Sequence, residues 1–157
     1  MVAGLQLSNI IISNPKLREK FKHEVMQAGY SQPNLMGMEA CQAAYENGEE
    51  WLEELLVYLQ GNVDSVRDYL KQEIPKIRLI EPEGTYLLWL DCRELGLSVE
   101  ELEHLVVDKA NLWLDPGFIF GAVGEGFERI NIACPRQTLK QAMDQLRDAL
   151  NAETFLN

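Results

Sequence analysis

The segment GFERINIACPR, residues 126–136, has the composition of a β-strand suited to burial. Side chains alternate between the two faces of an extended strand. One face is therefore predicted to carry Phe127, Arg129, Asn131 and Ala133, and the other Glu128, Ile130, Ile132 and Cys134. The pattern places an arginine in the middle of a strand that is otherwise suited to burial, where an unpaired charge is costly.

Arg129 can be interpreted in two ways. A guanidinium stays charged at any biological pH, and its planar fork of N–H donors matches the two oxygens of a carboxylate. Arg129 either forms a salt bridge with one of the chain's own acidic residues or binds the carboxylate of a substrate, and the residues alone leave both interpretations open. A guanidinium that is held by an acid of the chain and faces away from any cleft would contradict the second interpretation.

The sequence around this strand predicts a small α+β unit. KIRLIEPEG and TYLLWLDC are two predicted strands around the turn at residues 82–84, and LWLDPG is a third, short strand. The loop segment DPGFIFG, residues 115–121, is either an ordinary turn or a loop that bends close to a ligand. We expect a small, mostly antiparallel sheet covered by two or three helices.

Helix signals surround these strands. Ser98 and Glu101 form a predicted capping box at the start of a helix over residues 99–109, and Thr138 with Gln141 is a second candidate box, opening the last helix. Arg136, after a proline and just before that helix, is interpreted as a structural or surface residue.

The first half of the chain predicts a strand and three helices. GLQLSNIIIS is interpreted as a buried strand, and Asn14-Pro15 as the start of a helix that stops at Gly29. A second helix is predicted from about Asn34 to Asn47-Gly48. The helix that follows, over residues 49–73, would span roughly 37 Å, and we interpret it as a connection between two lobes. Gly61, near its middle, is a position where a bend would cost little.

The composition limits the classes of partner. Lys and Arg number 14 and Asp and Glu 25 in the 157 residues, a formal net charge of -11, which disfavours nucleic acid and anionic membranes. The chain shows neither a signal peptide nor a membrane-length apolar run. Three separated cysteines predict buried, inert thiols in a reducing compartment, and the isolated His23 and His104 make a metal site improbable. These features predict a cytoplasmic protein.

A self-contained active site is not evident. The chain lacks the patterns GxSxG, HExxH and GxxxxGK[ST]. Its lysines lie mostly on predicted polar helix faces or in turns, so none has the apolar setting that lowers a lysine pKa for Schiff-base chemistry. If the protein performs covalent carbonyl chemistry, its nucleophile is not visible in these residues.

Five phrases in order carry a resemblance to a known family. VAGLQLSNIII, AAYENGEEWLEELLVYL, PEGTYLLWLDCREL, LDPGFIFG and FERINIACPR resemble pyridoxal-phosphate enzymes of the aspartate-aminotransferase fold, and more narrowly the cystathionine β-lyase branch. The resemblance implies an α/β (α+β) fold. Residues 1–48 would be a remnant of the large cofactor-binding domain, residues 49–74 the interdomain helix, and residues 75–157 the small C-terminal domain.

The resemblance also implies roles for individual residues. Arg129 stands where the family's arginine binds the substrate α-carboxylate. Many relatives have an arginine where this sequence has Gln6, so Gln6 would offer the cofactor phosphate at most a neutral hydrogen bond. Tyr86, Trp89 and the 116–121 loop are expected near the mouth of the site. The family's Schiff-base lysine would precede the phrase that begins at Val2, so the resemblance implies a C-terminal part that is inactive alone and binds no cofactor.

The activity that the resemblance implies belongs to the intact enzyme. Pyridoxal 5′-phosphate acts as the electron sink while a thiolate leaves from Cβ of cystathionine or a cysteine S-conjugate, which yields pyruvate, ammonia and a thiol. Transamination is the alternative, and a non-catalytic α+β interaction module is a second one. The expected partners are an amino-acid substrate and a second copy of the chain in a homodimer, with no nucleic acid, membrane or metal.

Overall fold

A computed structural model describes residues 3–30 and 32–154 of the chain. The chain divides into two compact units, residues 1–54 and residues 55–157. The boundary between them falls inside the long helix α3, which runs without interruption over Glu49–Glu73. Within the described part of the chain, no helix combines the length and the apolar character needed to cross a membrane.

The first unit contains α1 (Pro15–Gln27), α2 (Leu35–Asn47) and the start of α3. The Asn14 side chain caps α1 by accepting hydrogen bonds from the backbone N–H groups of Lys16 and Leu17, at 3.0 and 3.3 Å. Gly29 follows α1 in the left-handed region, with φ +76°. The predicted helix starts and stops are therefore confirmed.

The prediction of a buried strand in GLQLSNIIIS is wrong for the described structure. Ala3–Leu5 forms a 3-10 turn, residues 6–14 have no regular secondary structure, and the Ile10 and Ile11 side chains are 58% and 94% exposed. A strand needs a neighbour that satisfies its backbone N–H and C=O groups, and no strand of the described residues pairs with this segment. Apolar, β-branched composition alone does not supply that neighbour.

The second unit is built on a four-stranded sheet in the order β1-β2-β4-β3, with every neighbouring pair antiparallel. Its strands are β1 (Arg78–Ile80), β2 (Leu87–Asp91), β3 (Asp115–Pro116) and β4 (Phe127–Asn131). The predicted small antiparallel sheet is confirmed, and each of its strands lies in a segment that the sequence indicated.

Helices cover one face of this sheet. α4 (Val99–Glu103) continues as a π-helix (His104–Lys109), so the helix predicted as one piece over 99–109 widens in its second half. Short 3-10 turns occupy Arg93–Leu95, Gly117–Phe120 and Ala122–Gly124. The last helix, α5, spans Arg136–Thr154. The predicted capping box at Thr138 is wrong, because the Pro135 carbonyl already accepts the Leu139 N–H and Thr138 lies inside the first turn.

The core of the second unit lies between the sheet and its helices. Side chains buried from the sheet are Leu88, Leu90 and Ile130, joined by Ile132 just after β4. Those from the helices include Val66, Leu70, Leu102, Leu105, Leu139 and Met143. The predicted faces of β4 are confirmed, since burial alternates along it: Glu128 and Ile130 are buried and Arg129 is half-buried. Arg129 therefore points away from the core.

The cysteines fulfil the prediction only in part. Cys92 is buried, and burial raises the pKa of its thiol to about 12, which keeps it protonated. Cys41 and Cys134 are only half-buried, so the prediction that all three thiols are buried is wrong for these two.

Arg136 joins the start of α5 to α3, which confirms its structural interpretation. Its Nε donates to Asn62 Oδ1 at 3.0 Å, its Nη2 to the Tyr58 carbonyl at 3.3 Å, and its backbone N–H to the Tyr58 hydroxyl at 2.8 Å. A Cβ at Gly61 would overlap the guanidinium. The glycine near the middle of α3 therefore makes room for Arg136.

The capping box at the start of α4 gives the first testable prediction. Ser98 Oγ accepts the Glu101 N–H at 3.2 Å, and the Glu101 carboxylate accepts the Ser98 N–H at 2.8 Å. Ser98→Ala is expected to lower the free energy of unfolding by about 1 kcal/mol, because one N–H of the first turn loses its acceptor. Urea unfolding measures the change, with the exposed Ser8→Ala as control. Equal values for the two variants would contradict the capping role.

Candidate functional site

The exposed face of the sheet carries a row of four side chains in register. Ile80 on β1 pairs with Trp89 on β2, Trp89 with Arg129 on β4, and Arg129 with Asp115 on β3. Residues directly opposite each other in antiparallel strands project on the same face. The register therefore brings an aromatic ring, a guanidinium and a carboxylate together from three strands.

Arg129 is paired with Asp115. Its Nε and Nη2 both donate to one oxygen, Oδ2, at 3.2 and 2.8 Å, and its Nη1 makes no hydrogen bond within residues 3–30 and 32–154. The pair is therefore not the two-for-two arrangement in which each carboxylate oxygen takes its own donor. The Asp115 side chain is 45% exposed and that of Arg129 is 25% exposed, and pairs in such positions contribute only about 0–1 kcal/mol.

Aromatic rings surround the guanidinium. Arg129 lies over the Phe120 ring, 4.5 Å from its centroid, and the Trp89 ring meets Phe120 edge-on with centroids 5.3 Å apart. Trp89 also contacts Phe127, at 6.2 Å between centroids. Of the residues expected near the mouth of the site, Trp89 and the 116–121 loop thus adjoin Arg129. Tyr86 instead packs against the core.

A cavity of about 300 Å³ opens beside Arg129. Residues from β1, the following turn and β2 complete its lining, namely Ile80, Glu81, Pro82, Glu83, Gly84, Thr85, Leu87 and Trp89. The charge of Glu81 is balanced by Arg67, which donates to its two oxygens at 2.8 and 2.7 Å and holds the pKa of that carboxyl below its usual value. Substrate binding would be contradicted if Arg129 were held by an acid of the chain and also faced away from any cleft. Arg129 is paired to Asp115 but lines a cavity, so only the first of these two requirements is met.

Two glycines fix the loop that carries Phe120. A Cβ at Gly117 would overlap the Gly124 carbonyl oxygen and lie 2.8 Å from the Phe127 carbonyl oxygen, and a Cβ at Gly124 would overlap the Gly117 carbonyl. Backbone therefore packs directly on backbone here. The glycine at position 117 is explained by this contact within the chain, which favours the ordinary-turn interpretation of DPGFIFG over close approach to a ligand.

Other candidate groups lie elsewhere. Gln6 belongs to the first unit, is exposed, has a φ of +52° and makes no hydrogen bond in the described part of the chain. Among the same residues, no group of three or more His, Cys, Asp or Glu side chains is placed to hold a metal ion. Asp115 is the site residue that sequence reasoning missed. Its position at the end of the predicted strand LWLDPG was visible, but its pairing with Arg129 depends on the strand register.

The described residues do not by themselves fit pyridoxal phosphate. This cofactor is held covalently by a lysine, and no lysine lines the cavity beside Arg129 or two further cavities, of about 600 and 710 Å³. Arg129 offers a carboxylate-binding group without the reactive amine.

Comparisons with known proteins give a consistent result. The sequence model of the family "aminotransferase class I and II" matches residues 2–146. Cystathionine β-lyase PatB of Bacillus subtilis is 37% identical over 150 residues, which are 96% of this chain and 39% of PatB. The chain thus spans about two fifths of the length of such relatives.

Solved structures agree with the sequence match. A pyridoxal-phosphate-bound protein of Clostridium difficile, provisionally described as an aminotransferase, superposes with a TM-score of 0.92 at 40% identity. The superposed region is 96% of this chain and 39% of the Clostridium difficile chain. Cystalysin of Treponema denticola, which contains pyridoxal 5′-phosphate, superposes with a TM-score of 0.90 at 36% identity. The superposed region is 96% of this chain and 38% of the cystalysin chain. The α/β fold implied by the sequence resemblance is confirmed.

Proposed function

Because this chain belongs to the aminotransferase class I and II family, we propose that it forms part of a pyridoxal-phosphate-dependent carbon–sulfur β-lyase. The overall reaction would convert cystathionine or another cysteine S-conjugate, with water, into pyruvate, ammonia and a thiol. The similarity to a cystathionine β-lyase over 96% of the chain supports this reaction. The chain itself supplies substrate binding, and we assign it no catalytic residue.

The observation that carries the proposal is the guanidinium of Arg129 at the edge of a cavity. The substrate α-carboxylate would take the place of Asp115, and each of its oxygens would accept one N–H of the fork. Leaving Asp115 costs little, because that pair is partly exposed and uses one oxygen. A carboxylate held at two points has a defined orientation, which directs the rest of the amino acid toward the reacting groups.

Transamination is the alternative function, and the similarity to the Clostridium difficile protein favours it. Both reactions use an amino acid whose carboxylate must be held, so Arg129 would serve either one. They differ in the products: elimination releases a thiol, whereas transamination leaves the sulfur in the substrate and converts a second 2-oxo acid into an amino acid.

A product assay tests the proposal. The longest reading frame that contains these residues is expressed, supplied with pyridoxal phosphate and given cystathionine, first alone and then with an added 2-oxo acid. We expect pyruvate and thiol in equal amounts even when no 2-oxo acid is added. Amino transfer without thiol release would replace the lyase proposal by the transaminase, and the absence of both products would favour the interaction module.

The domain organisation and the setting of the protein are also proposals. We propose that residues 1–48 belong to a large cofactor domain, residues 49–74 to the connecting helix and residues 75–157 to the small domain, within a cytoplasmic homodimer. The exposed Ile10, Ile11 and Leu17 support association. We expect the 157-residue chain alone to be inactive in the product assay and to scatter light as a dimer or larger. A monodisperse monomer would contradict the association.

A further inference from the structure

A second cavity, of about 600 Å³, lies at the β3 edge of the sheet, beside Glu128. Its walls come from α4, the π-helix, β3, β4 and the 3-10 turn after β3. Apolar side chains that line it include Val107, Trp113, Leu114, Pro116, Phe118 and Ile119. Its polar lining consists of Glu100, Glu103, His104, Asp108, Asp115 and Glu128, so within the described residues no lysine or arginine faces it.

Glu128 is the unusual residue of this cavity. It is only 3% exposed, and its neighbours in the sheet, Leu90 and Pro116, offer its side chain no donor. It makes no hydrogen bond or ion pair within residues 3–30 and 32–154. Every fully enclosed side-chain nitrogen or oxygen in that part of the chain has a partner, so the Glu128 oxygens open onto the cavity. Burying a carboxylate without a hydrogen-bond donor is costly in free energy, so a ligand that donates hydrogen bonds to Glu128 would be bound favourably.

The electrostatic surroundings of Glu128 are negative. Burial, together with the nearby carboxylates of Glu103 and Asp115, raises the pKa of Glu128 to about 7. His104 is a basic group of the lining, but its Nδ1 lies 2.7 Å from Asp108 Oδ2 and is engaged there. An anionic ligand would be repelled by this lining, and a neutral apolar ligand would leave the Glu128 carboxylate without a donor.

We propose that this cavity binds a primary ammonium group carried on a small apolar body, with the ammonium donating hydrogen bonds to Glu128. The cation supplies the charge and the donors that the carboxylate lacks, and the strength of a charge-assisted hydrogen bond favours this pairing. The aromatic and aliphatic walls, which include Trp113 and Phe118, accommodate the apolar body.

Benzylammonium is a suitable probe, because its charge and apolar ring match the two parts of the cavity. It is titrated into the 157-residue chain, and amide chemical shifts around Glu128 and Trp113 are followed. We expect saturable binding at about millimolar concentration, as the size of the probe allows. Glu128→Gln keeps the shape of the side chain and removes its charge, so it is expected to weaken binding at least about tenfold.

Two controls isolate the role of Glu128. Glu125→Gln removes an exposed acid that does not line the cavity and is expected to change the dissociation constant less than about twofold. Benzyl alcohol, which has the same ring without the charge, is expected to bind the unaltered chain at least about tenfold more weakly. Equal affinity for the alcohol and the ammonium, equal affinity of the Glu128→Gln chain, or no saturable shifts would each overturn the proposal. The test needs no lyase activity, so its failure leaves the proposed function untouched.

Discussion

Replacing Arg129 by lysine in the complete enzyme is expected to lower kcat/KM for a cysteine S-conjugate at least about 100-fold, a loss of about 3 kcal/mol in transition-state binding. Lysine keeps the positive charge but has no planar fork, so it cannot hold both oxygens of a carboxylate at once. Steady-state kinetics with the purified enzyme measures the loss, and circular dichroism verifies that the variant is folded.

Arg93 provides a matched control for this variant. It lies over the Phe127 ring at 4.7 Å and pairs with Asp91 at 2.8 Å. It therefore has the same two kinds of contact as Arg129, to an aromatic ring and to an acid, but it does not line the cavity beside Arg129. Arg93→Lys is expected to change kcat/KM less than about threefold.

A substrate without the carboxylate sharpens the same experiment. When the carboxylate is converted to an amide, the guanidinium loses its partner, and the unaltered enzyme and Arg129→Lys are expected to turn the amide over at similar low rates. If the variant lowers kcat/KM by the same factor for the acid and for the amide, Arg129 acts through the structure and not by binding the carboxylate.

The largest expected effect on stability comes from Gly117→Ala. The new methyl group would overlap the Gly124 carbonyl oxygen and crowd that of Phe127, both of which belong to the backbone and cannot rotate away. We expect the free energy of unfolding of the second unit to fall by about 3 kcal/mol or more, at the upper end of overpacking effects. Urea unfolding followed by tryptophan fluorescence measures the change, since Trp89 reports on this unit.

Gly84→Ala is the control for this substitution. Gly84 lies in the turn between β1 and β2 and is exposed, and beyond its chain neighbours no atom lies within 4 Å of the position where its Cβ would be. We expect its unfolding midpoint to stay near that of the unaltered chain. Indistinguishable midpoints for the two variants would show that the loop relaxes around position 117 and would contradict the role given to the glycine contact.

The helices of this protein follow from local signals. Asn14 and Ser98 cap α1 and α4 as their sequence context predicts, because a capping side chain contacts N–H groups only two or three residues away. The grouping of the β4 side chains into two faces follows from the two-residue period of a strand, and burial in the structure alternates with the same period. Local geometry suffices for such features.

Features that depend on distant residues were not predictable in the same way. GLQLSNIIIS has the composition of a buried strand, yet it has no strand beside it in the described structure and remains exposed. Thr138 has a capping-box pattern, but the helix begins earlier, where Arg136 makes its contacts with α3. For the strand, the deciding partner lies outside the local segment. For Thr138, the start of the helix decides, because the Pro135 carbonyl already accepts the Leu139 N–H.

For the candidate site, the sequence by itself determined the residue type and its place: a guanidinium in the middle of a strand of a small antiparallel sheet, on the same face as Phe127 and Asn131. The structure shows that this face lies away from the core. Tertiary structure alone decided its surroundings, because Asp115, Phe120 and Trp89 reach Arg129 through strand register and loop packing. The same holds for Glu128, whose lack of a donor depends on what packs around it. The position of a charged residue in a strand depends on neighbouring residues, whereas its binding partners depend on contacts between residues far apart in the chain.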